Sequence, residues 1–308
     1  MSVFSRAIYE TARLVGLPVL SRRLARGAVV LCYHNVVPPE YPAALAGGAA
    51  RDPSIHMGLG QFQRQLTWLA DTFDIVSLHE LTSRVSTGKD VGGLACLTFD
   101  DGYLGFFKWA LPILRTLQLP SAVFLVAEAH AAGTPYWWDY PVLLSRATAE
   151  RRIQWLTLGR GDGATIRQME QVDQPPDLPA DLLPAPFDRI LAAIGPDLTI
   201  GGHSRSHVCL PSVSDEDLHL ELEGCRRQLA ERLGQPPQYL AYPYGAWDAR
   251  VRNAARVAGY HACLTLNSGR TMASGRSDLW ALPRVNIPGG LPDAAFEAWV
   301  SGLLPRNR

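Results

Sequence analysis

The stretch Leu94-Ala95-Cys96-Leu97-Thr98-Phe99-Asp100-Asp101-Gly102 sets an uncharged, largely apolar run directly against two adjacent carboxylates and a glycine. The run reads as a buried strand. Two carboxylates at its end are costly unless a cation or a proton compensates them, because like charges a few ångströms apart disfavour joint ionisation. Neighbouring side chains on a regular strand point to opposite faces, so both acids reach one site only where the strand breaks, and Gly102 permits the sharp turn that breaks it. The plain alternative is an Asp-Asp-Gly surface turn that caps the next helix.

Further apolar runs of the same kind lie on both sides: Ala28–Tyr33, Phe73–Val76, Ala122–Val126, Leu198–Ile200, Tyr239–Tyr242, Ala262–Leu266 and Leu279–Val285. Helical patterns separate them, with Phe62, Leu66 and Leu69 in one, Phe106, Ala110, Ile113 and Leu117 in another, and Leu218, Leu222, Cys225, Leu229 and Leu233 in the longest. Seven or eight strands, each followed by a helix, predict an α/β fold: a single irregular (β/α)7–8 barrel. One region breaks the alternation. Residues 136–186 hold WWDY, GRGDG and QPPDLPADLLPAP and no strand pattern, which predicts a helical, Pro-rich insertion. The expected organisation is an N-terminal helical segment (1–27), one catalytic domain (28–290, insertion about 136–186) and a C-terminal helix and tail (291–308).

Composition narrows the function. Of 308 residues, 47% are hydrophobic and 19% charged, enough to bury a large core and to exclude general disorder. Lys plus Arg and Asp plus Glu are both 29, so the chain lacks the cationic field that draws proteins to nucleic acid. The five cysteines are far apart, with no C-x-x-C pair, and read as buried thiols. Residues 1–26 lack a secretory pattern, and no apolar run is long enough to span a membrane, which suggests a cytoplasmic protein. Phe4, Ile8, Tyr9 and Leu14 alternate there with Arg6, Arg13, Arg22, Arg23 and Arg26, so this segment either packs on the domain or touches the inner face of a membrane.

Three more strand ends carry chemistry. His203 and His207 in Gly201-Gly202-His203-Ser204-Arg205-Ser206-His207 stand four residues apart, a spacing that on one face of a helical turn lets both bind a single metal. Asp101 could supply a third, oxygen ligand and leave a position open for water, the arrangement of a hydrolytic metal site. Tyr242-Pro243-Tyr244-Gly245 is a turn that can aim a backbone N–H into a cavity, and Cys32-Tyr33-His34-Asn35 brings a further imidazole to the same edge. In a parallel barrel all four groups converge on the C-terminal face.

On TFDDG (98–102), HSRSH (203–207), YHNV (33–36) and YPYG (242–245), the sequence resembles the polysaccharide deacetylase superfamily, carbohydrate esterase family 4, over roughly residues 28–290. It resembles most the branch that includes bacterial poly-N-acetylglucosamine deacetylases. The resemblance implies that Asp100 is the general base, that Asp101, His203 and His207 hold one divalent metal (zinc, with cobalt or nickel as alternatives), and that Tyr244 N–H receives the oxyanion. The family's third motif usually opens with an Arg that orients the base. Ala241 stands there in this chain, and Arg284 is the candidate substitute. The usual late Leu-x-His is also missing from LPRVNI, and His34 is the candidate general acid.

The expected activity is hydrolysis of an N-acetyl group from an amino sugar in a glycan or a lipid-linked precursor. Trp137, Trp138 and Tyr242 are candidate substrate contacts, since aromatic faces stack on sugar rings. The alternatives are a glycan-binding homologue without activity, and a hydrolase of another amide (formyl or cyclic imide) or of an ester. The remaining histidines, His56, His79, His130, His219 and His261, have no partners at ligand spacing and are expected to be structural or superficial.

Overall fold

The computed structural model describes residues 3–38, 44–45, 49–50, 54–273 and 277–303. Its main sheet has eight strands, all in parallel pairs: β1 (Val29–Tyr33), β2 (Asp74–Ile75), β3 (Leu94–Phe99), β4 (Ser121–Leu125), β5 (Leu198–Gly202), β6 (Tyr239–Ala241), β7 (Ala262–Leu264) and β8 (Val285–Asn286). They run in the order β7-β6-β5-β4-β3-β1-β8, with β2 paired to the start of β3. The sheet curls into the irregular α/β barrel predicted from the alternating runs. The segment after β7 closes it: Leu282 pairs with Leu264, and three residues on Val285 pairs with Leu31. The predicted strand Leu279–Val285 is therefore corrected. Leu279–Ala281 is a 3-10 turn, and Pro283, which has no N–H to give a ladder, separates the two pairings.

Alternation along the strands builds two apolar layers. Val29, Leu31 and Tyr33 of β1 and Ala95, Leu97 and Phe99 of β3 face the surrounding helices, where Phe62, Leu66, Phe106 and Phe296 pack on them. Val30, Cys96, Ala122, Phe124, Ala241 and Leu264 fill the inside, together with Leu78, Leu81 and Val85 of the helix Leu78–Thr87. All five cysteines are buried and unpaired. The longest helix, Asp215–Leu233, is delimited as its sequence dictates. Ser214 accepts the Asp217 N–H, three acids occupy the first turn, and Gly234 closes it in the left-handed region at φ 77°.

Residues 136–186 contain only short helices, with Ala149–Thr157 and Gly163–Met169 the longest. Before β1, helices Val3–Leu14 and Leu17–Leu24 lie against the C-terminal helix Asp293–Val300, where Trp299 Nε1–H donates to Tyr9 Oη at 3.0 Å and Arg13 pairs with Glu297 at 3.1 Å. The side chains of Phe4 and Arg23 and the tail 304–308 lie outside the described residues.

Candidate active site

Strand register brings the motifs to one level. Tyr33 pairs with Phe99 and Asp100 N–H donates to Tyr33 O at 2.9 Å, so His34 and Asp100 leave the sheet side by side. On the neighbouring strands Leu125 pairs with Gly202 and Leu240 with Gly202, so His203 emerges beside Ala241 and the YPYG turn. The rim is a consequence of parallel pairing.

Asp100 continues the inward series Cys96, Thr98. Its carboxylate meets the fully buried Arg284 guanidinium two-fold, Nη1 to Oδ1 and Nη2 to Oδ2, both at 2.7 Å. Arg284 also donates to Thr98 Oγ1 at 3.2 Å and Thr265 O at 3.0 Å, and Cys32 Sγ–H donates to Asp100 Oδ2 at 3.3 Å. Burial opposes ionisation of Asp100, but the charge and hydrogen bonds of Arg284, with His203 and His34 beside it, together outweigh burial and hold the carboxyl well below the usual range. The position that sequence reading offered as a substitute for the missing Arg is thus in direct contact with Asp100.

Asp101 would point away from the barrel if the strand ran on. It adopts φ 69°, followed by Gly102 at φ 62°, and this turn swings its carboxylate to the histidines. Gly102 has no room for a side chain, since a Cβ would lie 2.5 Å from Leu125 Cδ2 and 2.6 Å from His130 Cε1. His203 and His207 do share a site, but not on a helical turn. Ser204 and His207 have φ 61° and 64°, and the loop doubles back in left-handed steps. With Tyr244 at φ 59°, four of the seven non-glycine positive-φ residues among those described sit here, where local strain is held by the surrounding structure.

The loop is held by Glu221, a buried acid of the long helix that sequence reading missed. It accepts Arg205 N–H and Ser206 N–H on Oε2, both at 3.0 Å, and Ser206 Oγ–H on Oε1 at 2.6 Å. Arg205 N–H also donates to Glu221 O at 3.1 Å and keeps that partner in Glu221→Ala, but Ser206 N–H and Oγ–H lose theirs, and the change is expected to lower stability by about 2–3 kcal/mol in urea unfolding. Glu221→Gln, which keeps an acceptor, is expected to lose less. Equal losses for the two would show that the hydrogen bonds do not carry the effect.

Asp101 Oδ1, His203 Nε2 and His207 Nε2 form a compact triangle, with edges of 3.5, 3.5 and 3.2 Å. Ligand atoms around a tetrahedral zinc, with bonds of about 2.0–2.1 Å, lie roughly 3.3 Å apart, so the triangle fits such an ion. Asp101 Oδ1 is buried with no hydrogen-bond partner. His203 Nδ1–H donates to Ala241 O at 2.8 Å, which leaves Nε2 unprotonated, and burial pushes its pKa down to about 4. Donor types, spacing and orphaned lone pair all suit a divalent cation.

His34 lies within 4.8 Å of Cys32 and Asp100, measured between ring nitrogen, thiol and carboxylate. Gly245 N–H and Ala246 N–H bond back to Tyr242 O and Pro243 O, and neither bond uses Tyr244 N–H. Tyr242 is not brought to the site. It is fully buried in a separate cluster and its hydroxyl donates to Trp280 O at 2.9 Å. Trp137 and Trp138 each keep 7% exposure and pack among rings, and a cleft of about 200 Å³ opens between them, Asp162, Arg167 and His207. Tyr136 stacks on Trp138 at 4.6 Å and 5°, so one face of that ring is committed to packing.

Comparison with known proteins gives the family and the fold. The family described as polysaccharide deacetylase matches residues 87–263, more than half of the chain. YxkH of Bacillus subtilis (strain 168) is 19% identical over 268 residues, 86% of this chain and 78% of its own. Among solved structures, the deacetylase PplD of Streptococcus pyogenes, in complex with acetate, superposes with a TM-score of 0.61 at 18% identity, over 91% of this chain and 99% of that one. IcaB of Ammonifex degensii gives 0.61 at 19%, over 90% and 98%. These likenesses carry the fold, the sequence match carries the family, and the chain belongs to the polysaccharide deacetylase family.

Proposed function

We infer that the protein is a divalent-metal-dependent N-deacetylase, which removes acetate from an N-acetylated amino sugar in a glycan or glycan precursor. The observation that carries this reading is the triangle of Asp101, His203 and His207 beside an Arg-clamped carboxylate. Family membership supports the coarser statement, a hydrolase of acetylated glycans. Asp101, His203 and His207 would hold the cation. When bound, it would polarise the acetamide carbonyl and acidify water. Asp100, kept ionised by Arg284, is the base that takes the proton from the attacking water. Tyr244 N–H is the donor for the oxyanion, and His34 delivers a proton to the leaving amine. The cleft beside His207 would admit part of the glycan. The test is mass spectrometry of N-acetylglucosamine oligomers and lipid-linked glycans incubated with the protein. Loss of an acetyl mass supports the reading, and unchanged masses across both classes would refute it.

No helix among the described residues is long and apolar enough to cross a membrane. The N-terminal helices nevertheless expose a run of aliphatic side chains, with Leu14 at 86% and Val15 at 67% and Ile8, Val19 and Leu20 beside them. Residues 1–26 carry five arginines against one glutamate, which complements an anionic lipid surface. Peripheral contact at the inner face of a membrane follows from this reading. Phosphatidylglycerol vesicles are expected to sediment the protein, less so at high salt and less for Leu14→Glu/Val15→Glu. Retention in the supernatant, or self-association in sedimentation velocity, would argue instead for no partner or for a second copy.

A further inference from the structure

The two histidines of the triangle are held in different ways. A metal-binding imidazole almost always donates its second ring N–H to a carbonyl, a carboxylate or water, which fixes both ring and tautomer. His203 does so through Ala241 O. His207 does not: its Nδ1 is buried without a hydrogen-bond partner. Rings surround it instead. Trp138 lies 4.5 Å away, tilted by 53°, and Tyr244 lies 4.6 Å away at 81°.

Each of these rings is tied down by hydrogen bonds. Tyr244 Oη–H donates to Gly161 O at 3.0 Å and accepts Trp137 Nε1–H at 3.1 Å. Trp138 Nε1–H donates to Tyr103 Oη at 2.7 Å, and Tyr103 Oη–H donates to Asp139 Oδ2 at 2.6 Å. The other carboxylate oxygen, Oδ1, accepts His56 Nε2–H at 2.7 Å, and His56 Nδ1 accepts from Asn35 Nδ2 at 3.0 Å. That sequence of donors fixes the His56 tautomer and brings two donors to one buried carboxylate. Tyr136 stacks on Trp138 and donates its O–H to Asp101 O at 2.6 Å, so the same wall touches a second member of the triangle.

We propose that Asp139 is a positioning residue, which through Tyr103 holds Trp138 where its ring fixes the His207 imidazole. Ring contact here replaces the hydrogen bond that His207 lacks. The insertion supplies Tyr136, Trp137, Trp138, Asp139 and Gly161, and so forms the outer wall of the metal site. This rests on the ligand role of His207 argued under the proposed function.

The test uses the full chain labelled with 15N-histidine, observed by NMR with and without zinc, together with zinc affinity by chelator competition and the visible spectrum of the cobalt(II) form. The variants are Asp139→Asn and Tyr103→Phe. The second removes only a hydroxyl and stays informative if the first fails to fold. Both are expected to raise the zinc Kd by about tenfold to a hundredfold, to shift the cobalt bands, and to broaden or split the His207 ring signals even without metal. Residues of merely structural importance would lower the melting temperature and leave His207 signals and zinc affinity unchanged, and that result would overturn the proposal. Absence of metal binding by the unmodified protein would refute the metal reading instead, while the zinc-free His207 spectra would still decide the positioning claim.

Discussion

Replacing Asp101 or His203 with alanine is expected to abolish metal binding and acetate release together. The three ligand atoms lie 3.2–3.5 Å from one another, and nothing else in the described residues offers a substitute carboxylate at that vertex: the neighbouring Asp100 is engaged two-fold by Arg284. With two ligands left, affinity should fall by more than the roughly hundredfold typical of outer-shell changes. Loss of several kcal/mol of charge stabilisation corresponds to at least about a thousandfold in turnover. Asp101→Ala removes a buried charge and should leave the protein folded, which circular dichroism and a melting curve check directly. His203→Ala also strands Ala241 O, at a cost of about 1–3 kcal/mol, so the aspartate variant is the cleaner of the two. Turnover near the unmodified rate by either metal-free variant would contradict the ligand assignment.

Arg284→Met is the second large effect. Arg284 and Asp100 are both buried, and removing one partner of such a pair leaves an uncompensated charge in the barrel, which is expected to cost about 3–5 kcal/mol in chemical unfolding. Without the guanidinium, burial is opposed only by the weaker influence of His203 and His34, so the Asp100 pKa rises and less of the base is ionised at neutral pH. Acetate release should fall by about a hundredfold or more, with its rising limb moved to higher pH. The double variant Asp100→Asn/Arg284→Met should recover much of the stability and none of the activity. If the double variant were as unstable as the single one, the pair could not be the source of the loss.

Much of this was legible in the sequence, for definite reasons. Strands buried on both faces read as uninterrupted apolar runs, and the chemistry stands at their ends, so order and approximate bounds of the sheet and the position of Asp100, Asp101, His203 and His207 at one rim could be read from one dimension. The seam was harder, because Pro283 splits the closing segment into two brief pairings with different neighbours. Spacing alone brought His203 and His207 together, but the left-handed steps at Ser204 and His207 depend on Glu221, fifteen residues beyond Ser206, and no local signal marks it.

Tyr242 was a misreading that alternation could have prevented: Ala241 faces the inside of the barrel, so the next residue faces outward, against the helices. The pair His56–Asp139 spans 83 residues, and its imidazole has no partner at ligand spacing because its partner is a carboxylate in the insertion. The aromatic content of WWDY was noticed as a source of sugar contacts, but the packing of Trp138 against the His207 imidazole is a tertiary contact that no local pattern marks.

The central claim is that a cation held by Asp101, His203 and His207 is required for deacetylation. Its most direct measurement is acetate release from N-acetylglucosamine oligomers by protein stripped of metal with a chelator, then titrated with zinc. Activity is expected to vanish on stripping and to return in proportion to added zinc, with its plateau at one equivalent. Full acetate release by protein shown to contain no metal would contradict the account.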